Sequence, residues 1–118
     1  MNDYLRFRDR FAEAMDPRFY TIEFLDGLLF QGMAEFMAGD DAAIVVEIKE
    51  FPTGARAVCG VIAAGDMNEI VQSLIPQAEA WGKAKGCNLG MIESRPGWAR
   101  VMKQHGYETF QVSLVKEI

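Results

Sequence analysis

Histidine is almost missing from this chain: His105 is the one copy in 118 residues. With two cysteines, no CxxC pair and no HExxH pattern, neither a His-rich metal site nor a zinc centre is expected. Cys59 and Cys87 allow one disulfide by arithmetic. Their apolar neighbours fit better with two reduced, partly buried thiols of a cytoplasmic protein. No apolar run approaches the roughly 18 residues of a membrane span. The start, MNDYLRFRDR, mixes charges and has no apolar signal core, so a soluble, unprocessed protein with no membrane partner is expected. Positive charge is in deficit, 12 Lys+Arg against 17 Asp+Glu for a net −5, which disfavours nucleic acid and anionic surfaces as partners. There is no repeat, no low-complexity tract and no linker, so residues 1–118 read as one domain.

What the chain has is an ordinary globular composition, 50% hydrophobic and 25% charged. A chain of this length can hide about two-thirds of its unfolded surface. Periodicity divides it. Tyr4, Phe7, Phe11 and Met15 recur at helical steps. Asp16-Pro17 reads as the start of a second helix reaching about Phe30, with Gly32 as its stop. Three strands follow: 33–38, 43–51 with Val46 and Ile48 alternating against Glu47 and Lys49, and 57–65. The last contains no polar side chain and reads as a central strand covered on both faces. The turns Gly39-Asp40-Asp41 and Pro52-Thr53-Gly54 make the three an antiparallel meander.

The period then switches to a helix from Asp66 or Asn68 to about Lys85, carrying Ile70, Leu74, Ala78 and Trp81 inward. Pro76 inside it predicts a kink or a second helical segment. A strand at 88–94, a short helix at 98–105 and an alternating strand around Phe110, Val112 and Leu114 complete the chain. The segment 57–94 is strand–helix–strand, which favours a right-handed parallel crossover. The expected fold class is therefore α/β, with a mixed sheet of about five strands and four helices. Ligands of open sheets bind beyond the carboxyl ends of parallel strands. That places a candidate site near Ala63, Ala64, Gly65 and Asp66 on one strand and Glu93, Ser94 and Arg95 on the other.

This element order, with GCNLGMIESRPGWARVMKQHGYETFQVSLVKEI as its last third, resembles the GNAT superfamily of N-acyltransferases. The Gly106-Tyr107 pair and the string Pro96-Gly97-Trp98-Ala99-Arg100 resemble small GNAT-like proteins of phages and prophages most. The resemblance implies acetyl-CoA lying between two parallel strands. Its pantetheine would pair with main chain at Val61, Ile62 and Ala63. Its pyrophosphate would sit where Gly65, Met67 and Asn68 open the next helix, with Arg95 near. The family's Gln/Arg-x-x-Gly-x-Gly/Ala motif is replaced here by Ala64-Gly65-Asp66-Met67-Asn68-Glu69, with one glycine and two carboxylates. The position of the family's Tyr acid holds Met102. Glu93 and Glu47 are the candidate bases, each acting directly or through a water.

Plainer roles compete with each assignment. Glu93 is also a strand-end charge, Glu47 a charge on a wet sheet face, and Arg95 and Arg100 surface cations. Trp98 reads as a packing anchor and His105 as a cation at a helix C-terminus. Two functions follow. One is transfer of an acetyl group from acetyl-CoA to a small-molecule or protein amine. The other is a catalytically degenerate GNAT-like phage or prophage protein, virion-associated or bound to a host protein. A homo-oligomer stays open under either.

Overall fold

A computed structural model describes residues 2–118. α1 (Asn2–Ala14) and α2 (Ile22–Phe30) precede the strands β1 (Glu35–Ala38), β2 (Ala42–Glu50) and β3 (Arg56–Gly65). A long helix, α3, then runs through three consecutive segments: Met67–Glu69, a π-helical Ile70–Leu74, and Ile75–Ala84. β4 (Leu89–Ile92) and α4 (Gly97–Lys103) follow. The sheet order is β1-β2-β3-β4, antiparallel except for the parallel β3–β4 pair. The mixed α/β architecture expected from the sequence is present.

β3 is central because both of its faces are covered. On one face Tyr4, Phe7 and Phe11 of α1 and Leu25 of α2 pack with Ala43, Val45 and Ala64. Phe36 of β1 meets the rings of Tyr4, Phe7 and Phe11 at 5.7 to 6.4 Å. On the other face Ile70, Leu74 and Ala78 of α3 pack with Ile44, Val46 and Val58. Phe7, Phe11, Leu25 and Leu74 are almost completely enclosed, each contributing roughly 1.5–3 kcal/mol of burial. α3 comes very close to β3 at Gly82, where an added Cβ would stand 2.7 Å from the Val58 side chain. Trp98 of α4 packs at the edge of this second cluster, the anchoring role read from the sequence.

Two expectations change and a third is met. α2 does not begin at Asp16-Pro17. The Asp16 carboxylate turns back on Arg18, taking its backbone N–H at 3.0 Å and its guanidinium at 2.7 Å. This makes a turn, and Thr21 caps α2 by accepting from the Phe24 N–H. The second helical segment expected at Pro76 is present: Ile75–Ala84 opens with Pro76 in its first turn, directly after the π segment. Pro76 cannot donate to a carbonyl one turn back, and the Ile75 N–H before it reaches Ile70, five residues away. The sheet has four strands, not about five. Residues 107–118 form no regular element, and Phe110, Val112 and Leu114 remain exposed. Alternation gives a strand its faces, but a strand exists only when a neighbour takes its backbone groups. Both cysteines are free; Cys59 is buried, and burial raises its thiol pKa. No helix among the described residues is long and apolar enough to cross a membrane.

Candidate functional site

β3 and β4 pair in register from Ala57 opposite Leu89 to Gly60 opposite Ile92, and there the pairing stops. β3 continues to Gly65. Against β2 it carries one extra residue: Val45 faces Ile62 and Val46 faces Gly60, so Val61 is a bulge. A bulge bends its strand and increases the local twist. Here it coincides with the point where β3 and β4 part. On the β4 side the main chain of Val61 to Gly65 has no strand partner, and a cavity of about 740 Å³ fills the gap. Its walls come from both faces of the sheet: Arg10 and Glu13 of α1 on one side, Ile75 and Glu79 of α3 on the other.

The sequence placed its candidate site at this cleft, and most of the named residues are here. Val61, Ile62, Ala63, Gly65, Glu93 and Arg95 all line the cavity. Met67, Asn68 and Glu47 are not among the lining residues. Trp98 forms part of the wall, and Met67 faces outward, so neither closes the gap. The Glu93 carboxylate is engaged: Lys49 Nζ donates to its Oε1 at 2.8 Å. That bond, helped by the charge of Glu47, raises the Lys49 pKa. Glu93 Oε1 is therefore taken by a cation. Arg95 lies close enough to Asp16 for its charge to help lower that carboxyl, whose pKa falls to about 2 chiefly through Arg18.

One pair was not singled out from the sequence. Tyr107 lines the cavity, and its hydroxyl donates to Glu79 Oε2 at 2.7 Å. A Cβ on Gly90 would stand 2.8 Å from that hydroxyl, so the glycine in β4 makes its room. Burial, then the bond to Glu79, raises the phenol's pKa, and Tyr107 stays a neutral donor. Met102, at the position where the family resemblance looks for a tyrosine, is buried in the packing. The only sequence signal for Tyr107 was its place after Gly106. Nothing local in the sequence links it to Glu79, 28 residues earlier.

The corner from β3 into α3 is short and closed. Gly65 ends β3 at φ 103°, and a Cβ there would overlap the Asp41 carbonyl oxygen and stand 2.6 Å from Ala42 Cα. This glycine is demanded by the approach of its own backbone to β2. The Asp66 N–H donates to Asp41 O at 2.9 Å, and the Asp66 carboxylate takes the Glu69 N–H at 2.9 Å. The Glu69 carboxylate takes the Asp41 N–H at 2.9 Å. Acetyl-CoA, which the resemblance implies, meets this geometry unevenly. An amide-bearing arm matches the free edge of β3. A pyrophosphate matches poorly a helix start where the Glu69 amide is taken by the Asp66 carboxylate and the two remaining amides are flanked by the carboxylates of Asp66 and Glu69. Among the described residues no cluster of His, Cys, Asp and Glu suits a metal.

The sequence matches no protein-family model and no curated protein. Solved structures do match. An aminoglycoside 6'-N-acetyltransferase of Acinetobacter haemolyticus superposes with a TM-score of 0.68 at 16% identity, over 100% of this chain and 95% of its own. A ribosomal-protein-alanine N-acetyltransferase of Brucella melitensis gives 0.69 at 16% identity, over 99% and 94%. A predicted acetyltransferase of Clostridium acetobutylicum, solved with acetyl-CoA, gives 0.69 at 14% identity, over 98% and 88%. At such identities the likeness concerns architecture, and by that measure this chain has the fold of the GNAT acetyltransferases.

Proposed function

We propose that the chain is an N-acyltransferase that moves an acyl group, acetyl in the simplest case, from a thioester donor to an amine. The observation that carries this reading is the parting of β3 and β4 after Gly60 and Ile92, which leaves a free strand edge along a cavity walled by α1 on one face and α3 on the other. An extended ligand bearing amides adds to such an edge as a strand does, through main-chain hydrogen bonds. Val61, Ile62 and Ala63 supply that edge. A bound thioester supplies the activated acyl group, and the chain's residues position it and handle protons.

An amine reaches the cleft as an ammonium and must lose a proton before it attacks. Glu93 is the base in this reading. Lys49 fixes Oε1, and Oε2 is left to take the proton directly or through a water. Glu47 acts from outside the cavity, through the charge it places on Lys49. Tyr107 offers a neutral hydroxyl from the cavity wall, and it can hydrogen-bond a leaving sulfur by turning its single proton from Glu79 to the sulfur. The test is a thiol-release assay with acetyl-CoA and with acetyl-pantetheine over a panel of primary amines. Turnover that falls about a hundredfold in Glu93→Gln supports the reading. No turnover with either donor and any amine refutes it.

A second reading is favoured by Met102 and by the carboxylates at the start of α3: a GNAT-fold protein without transferase activity that acts by binding another protein. It predicts that Glu93→Gln leaves the biological function intact and that changes to an exposed patch abolish it.

A further inference from the structure

We infer that the donor is recognised chiefly by its acyl-pantetheine arm, and that a pyrophosphate and nucleotide attached to that arm add less than about tenfold to binding. This rests on the acyltransferase reading and specifies the donor for the same cleft.

An arm laid along the free edge of β3 leaves the cleft at the strand's carboxyl end, where the chain turns into α3. Helix starts are the usual seats of anions, because their first amides have no partner within the helix. Here the seat is partly filled. A single residue, Asp66, separates β3 from α3, so no loop can wrap an anion. The Asp66 N–H is spent on Asp41 O. The Glu69 N–H is spent on the Asp66 carboxylate. That leaves the amides of Met67 and Asn68, set between the carboxylates of Asp66 and Glu69.

Both carboxylates are built in. Asp66 caps the helix, and Glu69 is held by the Asp41 N–H at 2.9 Å. A Cβ on Gly39 would overlap the Glu69 carboxylate, so the β1–β2 turn is shaped around it. The cation that reaches this corner, Arg6, is committed to the carbonyls of Asp40 and Gly39 at 3.0 and 3.1 Å. Arg10 of α1 and Arg95 after β4 line the same cavity as Gly65 and Ile70, and no hydrogen bond ties either to the β3–α3 turn. An incoming diphosphate would meet two fixed negative charges and lose its water for two amides. A neutral pantetheine arm meets only the strand edge.

The experiment is calorimetric titration of the unmodified chain with acetyl-pantetheine and with acetyl-CoA, followed by competition with adenosine bisphosphate, the nucleotide half alone. Charge-assisted hydrogen bonds to a pyrophosphate would favour acetyl-CoA by about tenfold or more. The expected result is an advantage below about tenfold, or a preference for acetyl-pantetheine, and no displacement of either by millimolar adenosine bisphosphate. An advantage of tenfold or more for acetyl-CoA, or displacement by the nucleotide, overturns the inference and leaves the acyltransferase reading standing. Binding of neither thioester at millimolar concentration overturns both.

Discussion

Gly65 separates a demand of the fold from a demand of the ligand. The resemblance assigns it to close approach by a cofactor, while the structure shows that the approaching group is the protein's own β2. Consider Gly65→Ala. Its φ of 103° lies where side-chain-bearing residues are strained, a cost of about 1–3 kcal/mol. The new Cβ would also overlap the Asp41 carbonyl oxygen and press on Ala42 Cα, 2.6 Å away. These are backbone atoms of a paired strand, and forcing them apart costs about 1–3 kcal/mol more. The total, about 4 kcal/mol, is a large part of the ~5–15 kcal/mol that holds a domain together. Urea unfolding followed by circular dichroism should show the midpoint falling steeply with an unchanged slope. Gly60→Ala is the control, because a Cβ there meets nothing within 4 Å and the change should stay within about 1 kcal/mol. A loss below about 1 kcal/mol in Gly65→Ala would refute the packing argument. Loss of donor binding in this variant would then be no evidence of a ligand contact unless stability were intact.

Gly60→Val should enter the cleft where β3 and β4 part. It is expected to weaken thioester binding by about tenfold or more while the urea midpoint stays near that of the unmodified chain; unchanged affinity would place the donor elsewhere. Gly82→Ala should cost about 1–3 kcal/mol despite alanine's better helix propensity, since its Cβ meets the Val58 Cβ at 2.7 Å; a neutral or stabilised variant in urea unfolding would show that α3 can lift freely. Acid stability should depend on Asp26, whose carboxyl pKa is lowered chiefly by the Arg8 guanidinium, with the Tyr4 hydroxyl also donating. The unfolded chain binds that proton more readily, so this stabilisation is present above the ordinary carboxylate range, near pH 4, and is lost as pH falls through the folded value. Urea midpoints between about pH 6 and pH 3 should fall less steeply in Asp26→Asn, and equal slopes would remove Asp26 from the account.

Some of this was legible in the residues. The 3.6-residue spacing of Tyr4, Phe7 and Phe11 marked α1, because a helix that must bury one face repeats its apolar side chains once per turn. The unbroken apolar run 57–65 marked β3 as covered on both faces, as it is. Strand–helix–strand order gave the parallel pair, and with it the end of the sheet where the cleft lies. These features depend on local period and on the handedness of short connections, which the chain carries within a few dozen residues.

Other features needed the folded chain. Residues 109–114 alternate as a strand should, yet no neighbour takes their backbone, and pairing is a property of two segments. The tie between Glu93 and Lys49 joins positions 44 apart, and that between Tyr107 and Glu79 positions 28 apart. The sequence placed Asp66 and Glu69 in the stretch where the resemblance seats a pyrophosphate, but did not show which groups they bond. The fold turned their carboxylates onto the Glu69 and Asp41 amides and so left the helix start with the amides of Met67 and Asn68 between two held carboxylates. The sequence by itself determined which elements form and where the sheet opens, because periodicity and connection length are local. Only the tertiary structure decided which backbone edges stay free and which charged groups are already engaged, because both depend on contacts between residues distant in the chain.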